Sequence, residues 1–113
     1  MSYVRIMADY MATGAWQKNG SVLELSELPI DQKLKQDLTR WVQTYDDFNA
    51  DTDDKTWRSW AKRGNAIAKQ IKEQLPDWTV IYFDEYAHQN AVNSPIPCDR
   101  SYFEYEIFKS ESN

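Results

Sequence analysis

The sequence predicts an α+β fold: a small, largely antiparallel sheet of three to four strands with two amphipathic helices packed on one face. Three observations carry this. Apolar residues recur at three- and four-residue spacing over 30–48 and again over 57–75. Runs of alternating or dense β-branched and aromatic residues stand before and after these stretches. The resulting order, strand, short strand, helix, helix, strand, strand, fits a layer of helices on one sheet rather than a bundle or a sandwich.

The opening strand is YVRIMA, residues 3–8, with Val4, Ile6 and Ala8 pointing one way and Tyr3, Arg5 and Met7 the other. A turn follows through Thr13-Gly14-Ala15-Trp16 and then Asn19-Gly20, a strong short turn signal. Ser21 to Leu25 reads as a second short strand. The first helix carries Ile30, Leu34, Leu38, Trp41, Val42, Tyr45 and Phe48 as one stripe, with Asp31 as N-cap after Pro29. The second carries Trp57, Trp60, Ala61, Gly64, Ile67, Ala68, Ile71 and Leu75, and Pro76-Asp77 stops it. Gly64 costs about 1 kcal/mol inside a helix, and its place on the apolar stripe points to a close approach by a neighbouring element. WTVIYF, residues 78–83, has the density of a central strand. YFEYEIF, residues 102–108, alternates: Phe103, Tyr105 and Ile107 are expected to face the helices, and Tyr102, Glu104, Glu106 and Phe108 the solvent. Residues 84–101 between these strands read as one long polar loop.

By size the 113 residues form a single domain, 1–113. Cys98 is the one cysteine, so no internal disulfide is possible and no oxidising compartment is needed. The start, MSYVRIMADYM, lacks a signal-peptide pattern, and no apolar run approaches a membrane span; a cytoplasmic protein with no membrane partner is expected. The net charge is −5. Lys55, Arg58, Lys62, Arg63, Lys69 and Lys72 form a stretch without an acid, expected on the solvated faces of the second helix; with +6 there, the remainder stands at −11. Such acidity favours basic partners and discourages nonspecific nucleic-acid binding.

The stretch DDFNADTDDKTWRSW, residues 46–60, spaces Asp47, Asn49 and Asp51 like the first ligands of a calcium loop. The sixth and twelfth positions of such a loop would be Thr52 and Arg58, not the required Gly and Glu. The aspartates therefore read as a connector that caps the second helix. Asp84, Glu85, His88, Cys98 and Asp99 share the predicted loop, and Asp9 could join Asp84, Glu85 and His88 around a metal. No cysteine-protease context, second His, CxxC or HExxH accompanies them. A small enzyme or metal-dependent protein using residues 84–99 is kept as the alternative reading. Glycines at 14, 20 and 64 cannot form a phosphate loop. No cofactor is implied.

The pattern VRIMADY, Trp16, ELP, LTRWVQTYDDFN, W…G…A…L and VIYFDE, over residues 4–85, resembles small bacterial proteins of toxin-immunity type, as in contact-dependent growth inhibition. That resemblance implies a non-catalytic protein that binds and neutralises a cognate toxin domain. Many such toxins are basic nucleases, and an acidic, aromatic surface would cover their clefts. The candidate contact residues are Asp46, Asp47, Asp51 and Asp53 in the connector, Asp84 and Glu85 at a strand end, and Tyr102, Glu104, Glu106 and Phe108 on the last strand.

Overall fold

The chain's first strand, β1 (Tyr3–Ile6), buries Val4 and Ile6 completely and leaves Tyr3 and Arg5 half-buried, the alternation read from its sequence. The structure, a computed structural model, describes residues 2–49 and 51–109. After β1 the chain turns into β2 (Ala15–Trp16), which pairs antiparallel with it. The expected strand at 21–25 is reduced to one bridge between Trp16 and Val22, followed by a 3-10 turn over Leu25–Glu27. Two backbone bonds flank that bridge, Gln17 N–H to the Ser21 carbonyl and Leu23 N–H to the Ala15 carbonyl, and the Thr13 hydroxyl pins the segment by donating to the Leu23 carbonyl at 2.7 Å.

Two long helices follow. α1 (Gln32–Asp46) buries Leu34, Leu38, Trp41 and Val42, and Asp31 caps it by accepting from the Leu34 amide at 2.8 Å. α2 (Asp54–Gln74) buries Trp60, Ala61, Gly64, Ile67, Ala68 and Ile71. Gln74 reaches back to the amide and carboxylate of Asp31, tying the end of α2 to the start of α1. The stripes therefore meet as the spacing predicts. One cation departs from expectation: Lys72 is buried, its ammonium donating to the Trp78 carbonyl at 2.6 Å, because its long stem lies along the core while the turn between α2 and the next strand supplies an acceptor.

β3 (Thr79–Phe83) lies beside β1 in parallel register, and β4 (Glu104–Ile107) pairs antiparallel with β3. The sheet order is β2-β1-β3-β4, so two pairings are antiparallel and the central one is parallel. The parallel pair follows from the two helices inserted between β1 and β3, which return the chain to the end where it began. Val4, Ile6, Val80 and Tyr82 form the sheet's side of the core.

Between β3 and β4 the expected polar loop is instead a helix, α3 (Glu85–Val92), followed by loop and a 3-10 turn at Arg100–Tyr102. Asp84 starts α3 by accepting from the Ala87 amide at 2.9 Å. Only Ala87 in α3 is fully buried, so the segment shows no apolar stripe and its sequence reads as loop.

The aspartate run is a hydrogen-bonded connector. Asn49 accepts from the Asp51 amide, the Thr52 hydroxyl from the Asn49 amide, and Asp53 from the Thr56 amide at 2.7 Å. Asp53 is the N-cap of α2, and the Thr56 contact holds its carboxyl below the ordinary value. Because Asp53 caps α2, Asp53→Ala should lower the urea midpoint of unfolding, while Asp53→Asn should leave it near wild type.

Candidate functional site

The packing of α1 on α2 builds the surface. Trp41 and Trp60 stack at 4.5 Å with planes 6° apart, and each indole N–H donates to the other's carbonyl at 2.9 Å. Tyr45 stacks on the outer side of Trp60 at 5.3 Å, and Phe48 and Trp57 close around it. Tyr10, from the loop after β1, then lies 5.2 Å from Tyr45 at the surface. An aromatic column thus runs from the core to solvent, with Tyr10 at its outer end.

Acids gather where the column emerges. Burial pushes the Tyr45 hydroxyl up to about 12, and the negative charges of Glu85, Asp9 and Asp46 add to that rise. The structure brings the charges of Asp46 and Glu85, both expected contact residues, to bear on Tyr45, and adds Asp9, read from the sequence only as a possible metal ligand, Tyr45, read only as part of the helix stripe, and Tyr10, which the sequence did not single out. The adjacency of Asp9 to Tyr10 and of Tyr45 to Asp46 was a visible signal; only the turn after β1 and the end of α1 bring the two pairs together.

Tyr86 of α3 forms a wall. Its hydroxyl donates to Asp54 at 2.6 Å, and Arg58 donates to the other Asp54 oxygen at 2.7 Å. These contacts, Tyr86 first, hold the Asp54 carboxyl below its ordinary value. On one side of the wall is the acidic, aromatic cleft. On the other is a groove of about 540 Å³ whose lining includes Arg58, Lys62, Lys69, Asn65, Tyr102 and Tyr105. Asp84 lies at the edge of that groove, its carboxyl raised by burial and partly restored by the Ala87 and Tyr86 amides.

The last strand departs from the expected arrangement. The 3-10 turn at Arg100–Tyr102 breaks the two-residue period before β4 begins. Tyr102 therefore lines the basic groove beside Tyr105, away from the glutamates, and Phe103 packs on Phe83 and His88 rather than on the two long helices. Tyr105 and Ile107 do face inward, Tyr105 accepting from Asn65 at 2.9 Å. Glu106 and Phe108 are exposed, but Glu104 is not a free surface acid. Its side chain is 13% exposed and paired with Arg5 at 3.3 Å and with Arg100. Asp47, Asp51 and Asp53 are exposed along the connector.

The residues of the alternative reading do not assemble. His88 sits on α3 between Phe83 and Phe103, at ring distances of 5.1 and 4.8 Å. Cys98 is exposed in the following loop, its thiol directed at the Ile96 carbonyl at 3.7 Å. Among the described residues no three His, Cys, Asp or Glu side chains group as metal ligands, and no helix is long and apolar enough to cross a membrane.

These features define a class: small α+β proteins whose open clefts present charge beside aromatic rings. The profile of the Serratia CdiI immunity protein-like family matches residues 2–85, from β1 through the start of α3, and the chain belongs to that family. No curated protein matches the sequence.

Proposed function

We propose that this chain is an immunity protein that neutralises a cognate toxin domain by binding it directly, without catalysis, in the cytoplasm of the cell it protects. The partner is a basic, nuclease-type domain. The observation that carries the reading is the cluster of Asp9, Asp46 and Glu85 around the exposed end of an aromatic column, on a protein of net charge −5. Aromatic anchors beside complementary charge are what a fast, specific protein interface uses. The family supports the role, and the charge supports the kind of partner. The alternative, chemistry by residues 84–99, has no assembled set of groups among the described residues to support it.

The test is protection. Cells expressing the toxin domain encoded by the neighbouring gene should stop growing, and co-expression of this chain should restore growth. Continued arrest with both proteins present in equal amounts would refute the reading.

A further inference from the structure

A cleft of about 650 Å³ opens between the end of α1, the start of α2 and α3. Tyr10, Tyr45, Phe48, Trp57 and Tyr86 supply its rings. Most of these are already packed: Tyr45 lies on Trp60, and Phe48 lies 4.6 Å from Trp57. Tyr10 is different. The residue is 60% exposed, and the next one, Met11, is 99% exposed. Met11 also holds φ at 60°, a left-handed conformation that a non-glycine residue adopts at a cost. The loop after β1 thus contributes a largely exposed tyrosine to a concave surface and carries an exposed methionine next to it in the chain, the pattern of a protein-binding site.

Charge decides what enters. Asp54 lines the cleft; Asp9, Asp46 and Glu85 are the chain neighbours of Tyr10, Tyr45 and Tyr86 of its lining, and the charge of each reaches the Tyr45 hydroxyl. Asp54 is neutralised by Arg58; the other three have no ion pair among the described residues. No lysine or arginine lines the cleft; Arg58, Lys62 and Lys69 line the groove beyond Tyr86. An anion would be repelled here. A neutral apolar group would desolvate carboxylates without pairing them. A lysine or arginine meets both demands, with its charge among the carboxylates and its stem or guanidinium plane against a tyrosine ring.

We propose that this cleft receives a lysine or arginine side chain projecting from the protein partner, seated against Tyr10 with its charge among Asp9, Asp46 and Glu85. The assignment rests on the toxin-neutralising reading above and narrows it to one contact. The partner's surface beside that cation is apolar, to cover Met11.

Calorimetry with the toxin domain encoded by the neighbouring gene tests it. The cleft triple variant Asp9→Asn, Asp46→Asn, Glu85→Gln removes three charges but keeps polar side chains. A remote triple, Glu24→Gln, Glu27→Gln, Asp77→Asn, removes the same charge at the other end of the helical pair. The cleft triple should weaken binding by about 30-fold and the remote triple by less than about 3-fold, with circular dichroism melts unchanged. Tyr10→Ala, at a mostly exposed ring, should weaken binding in the same way without unfolding the chain. Among lysine and arginine replacements in the toxin domain, one should cost affinity against wild type and cost nothing further against the cleft triple. Equal losses from both triples, or no coupled toxin cation, would overturn the cleft assignment and leave the immunity role standing. No binding by the wild-type chain would instead remove the role itself.

Discussion

Replacing Gly64 with alanine is expected to lower stability by about 2–3 kcal/mol, although alanine is the better helix former by about 1 kcal/mol. A Cβ on Gly64 would stand 2.3 Å from Trp41 Cζ2, 2.6 Å from its Cε2 and 2.6 Å from the Tyr82 hydroxyl oxygen. Neither neighbour can yield cheaply. Trp41 is held by the reciprocal indole-to-carbonyl bonds with Trp60, and the Tyr82 hydroxyl donates to the Ala61 carbonyl at 2.7 Å. Both residues are fully buried. Relief therefore requires moving α2 off the sheet or breaking those bonds, and overpacked cores show penalties of this size. Equilibrium urea unfolding followed by tryptophan fluorescence measures it. Gly20→Ala is the control: it shares a positive φ of 90° with Gly14 but has open space around it, so its cost should be confined to backbone strain, about 1 kcal/mol. A Gly64→Ala variant as stable as wild type would mean that α2 does not approach Trp41 this closely.

Charge reversal at Glu104 should cost about 3 kcal/mol of stability, whereas Glu106→Lys should stay within about 0.5 kcal/mol. Simple alternation treats the two glutamates alike, since both lie on the same face of β4. The structure separates them. Glu104 sits opposite Phe83 and bonds Arg5 of β1 and Arg100 of the preceding turn, while Glu106 is exposed. A lysine at 104 would place a third cation between two arginines, one of them only 22% exposed. Breaking a largely buried pair leaves an uncompensated charge, which is costlier than the pair itself is stabilising. Thermal or urea unfolding of the two single variants decides the matter, and equal stabilities would show that the Arg5–Glu104–Arg100 cluster does not hold β4 to the sheet. A binding loss in a Glu104 variant would accordingly report on folding before it reported on partner contact.

Periodicity made the helices readable because each buries one stripe along its full length, from Leu34 to Val42 and from Trp60 to Ile71. The close approach at Gly64 was readable for the same reason: a glycine on the apolar side of a helix has little other use. α3 was not readable, since a helix burying only Ala87 leaves no period to detect; its one local mark, Asp84 before Ala87, also suits a loop. The last strand was half readable. Alternation placed Tyr105 and Ile107 correctly and failed at Tyr102 and Phe103, where backbone bonds from Tyr102 to Asp99 and from Phe103 to Arg100 form a turn the side chains do not announce. For the site, the acids of the connector and of the β3 end were visible as acids. That the charges of Asp46, Glu85 and Asp9 all reach Tyr45 depends on tertiary structure: the parallel pairing of β1 with β3 brings Asp9-Tyr10 and Glu85 off the same end of the sheet, where the end of α1 meets them.

Capture of a basic toxin domain by an acidic, aromatic surface, as proposed above, requires association that is fast and driven by charge. The most direct measurement is the association rate of this chain with that domain by stopped-flow fluorescence, using the intrinsic tryptophans, as ionic strength rises from about 20 to 500 mM. Steered association predicts a rate above about 10⁷ M⁻¹s⁻¹ at low salt that falls at least tenfold across the range, with a much smaller change in dissociation. A slow association rate that does not respond to salt would contradict the account.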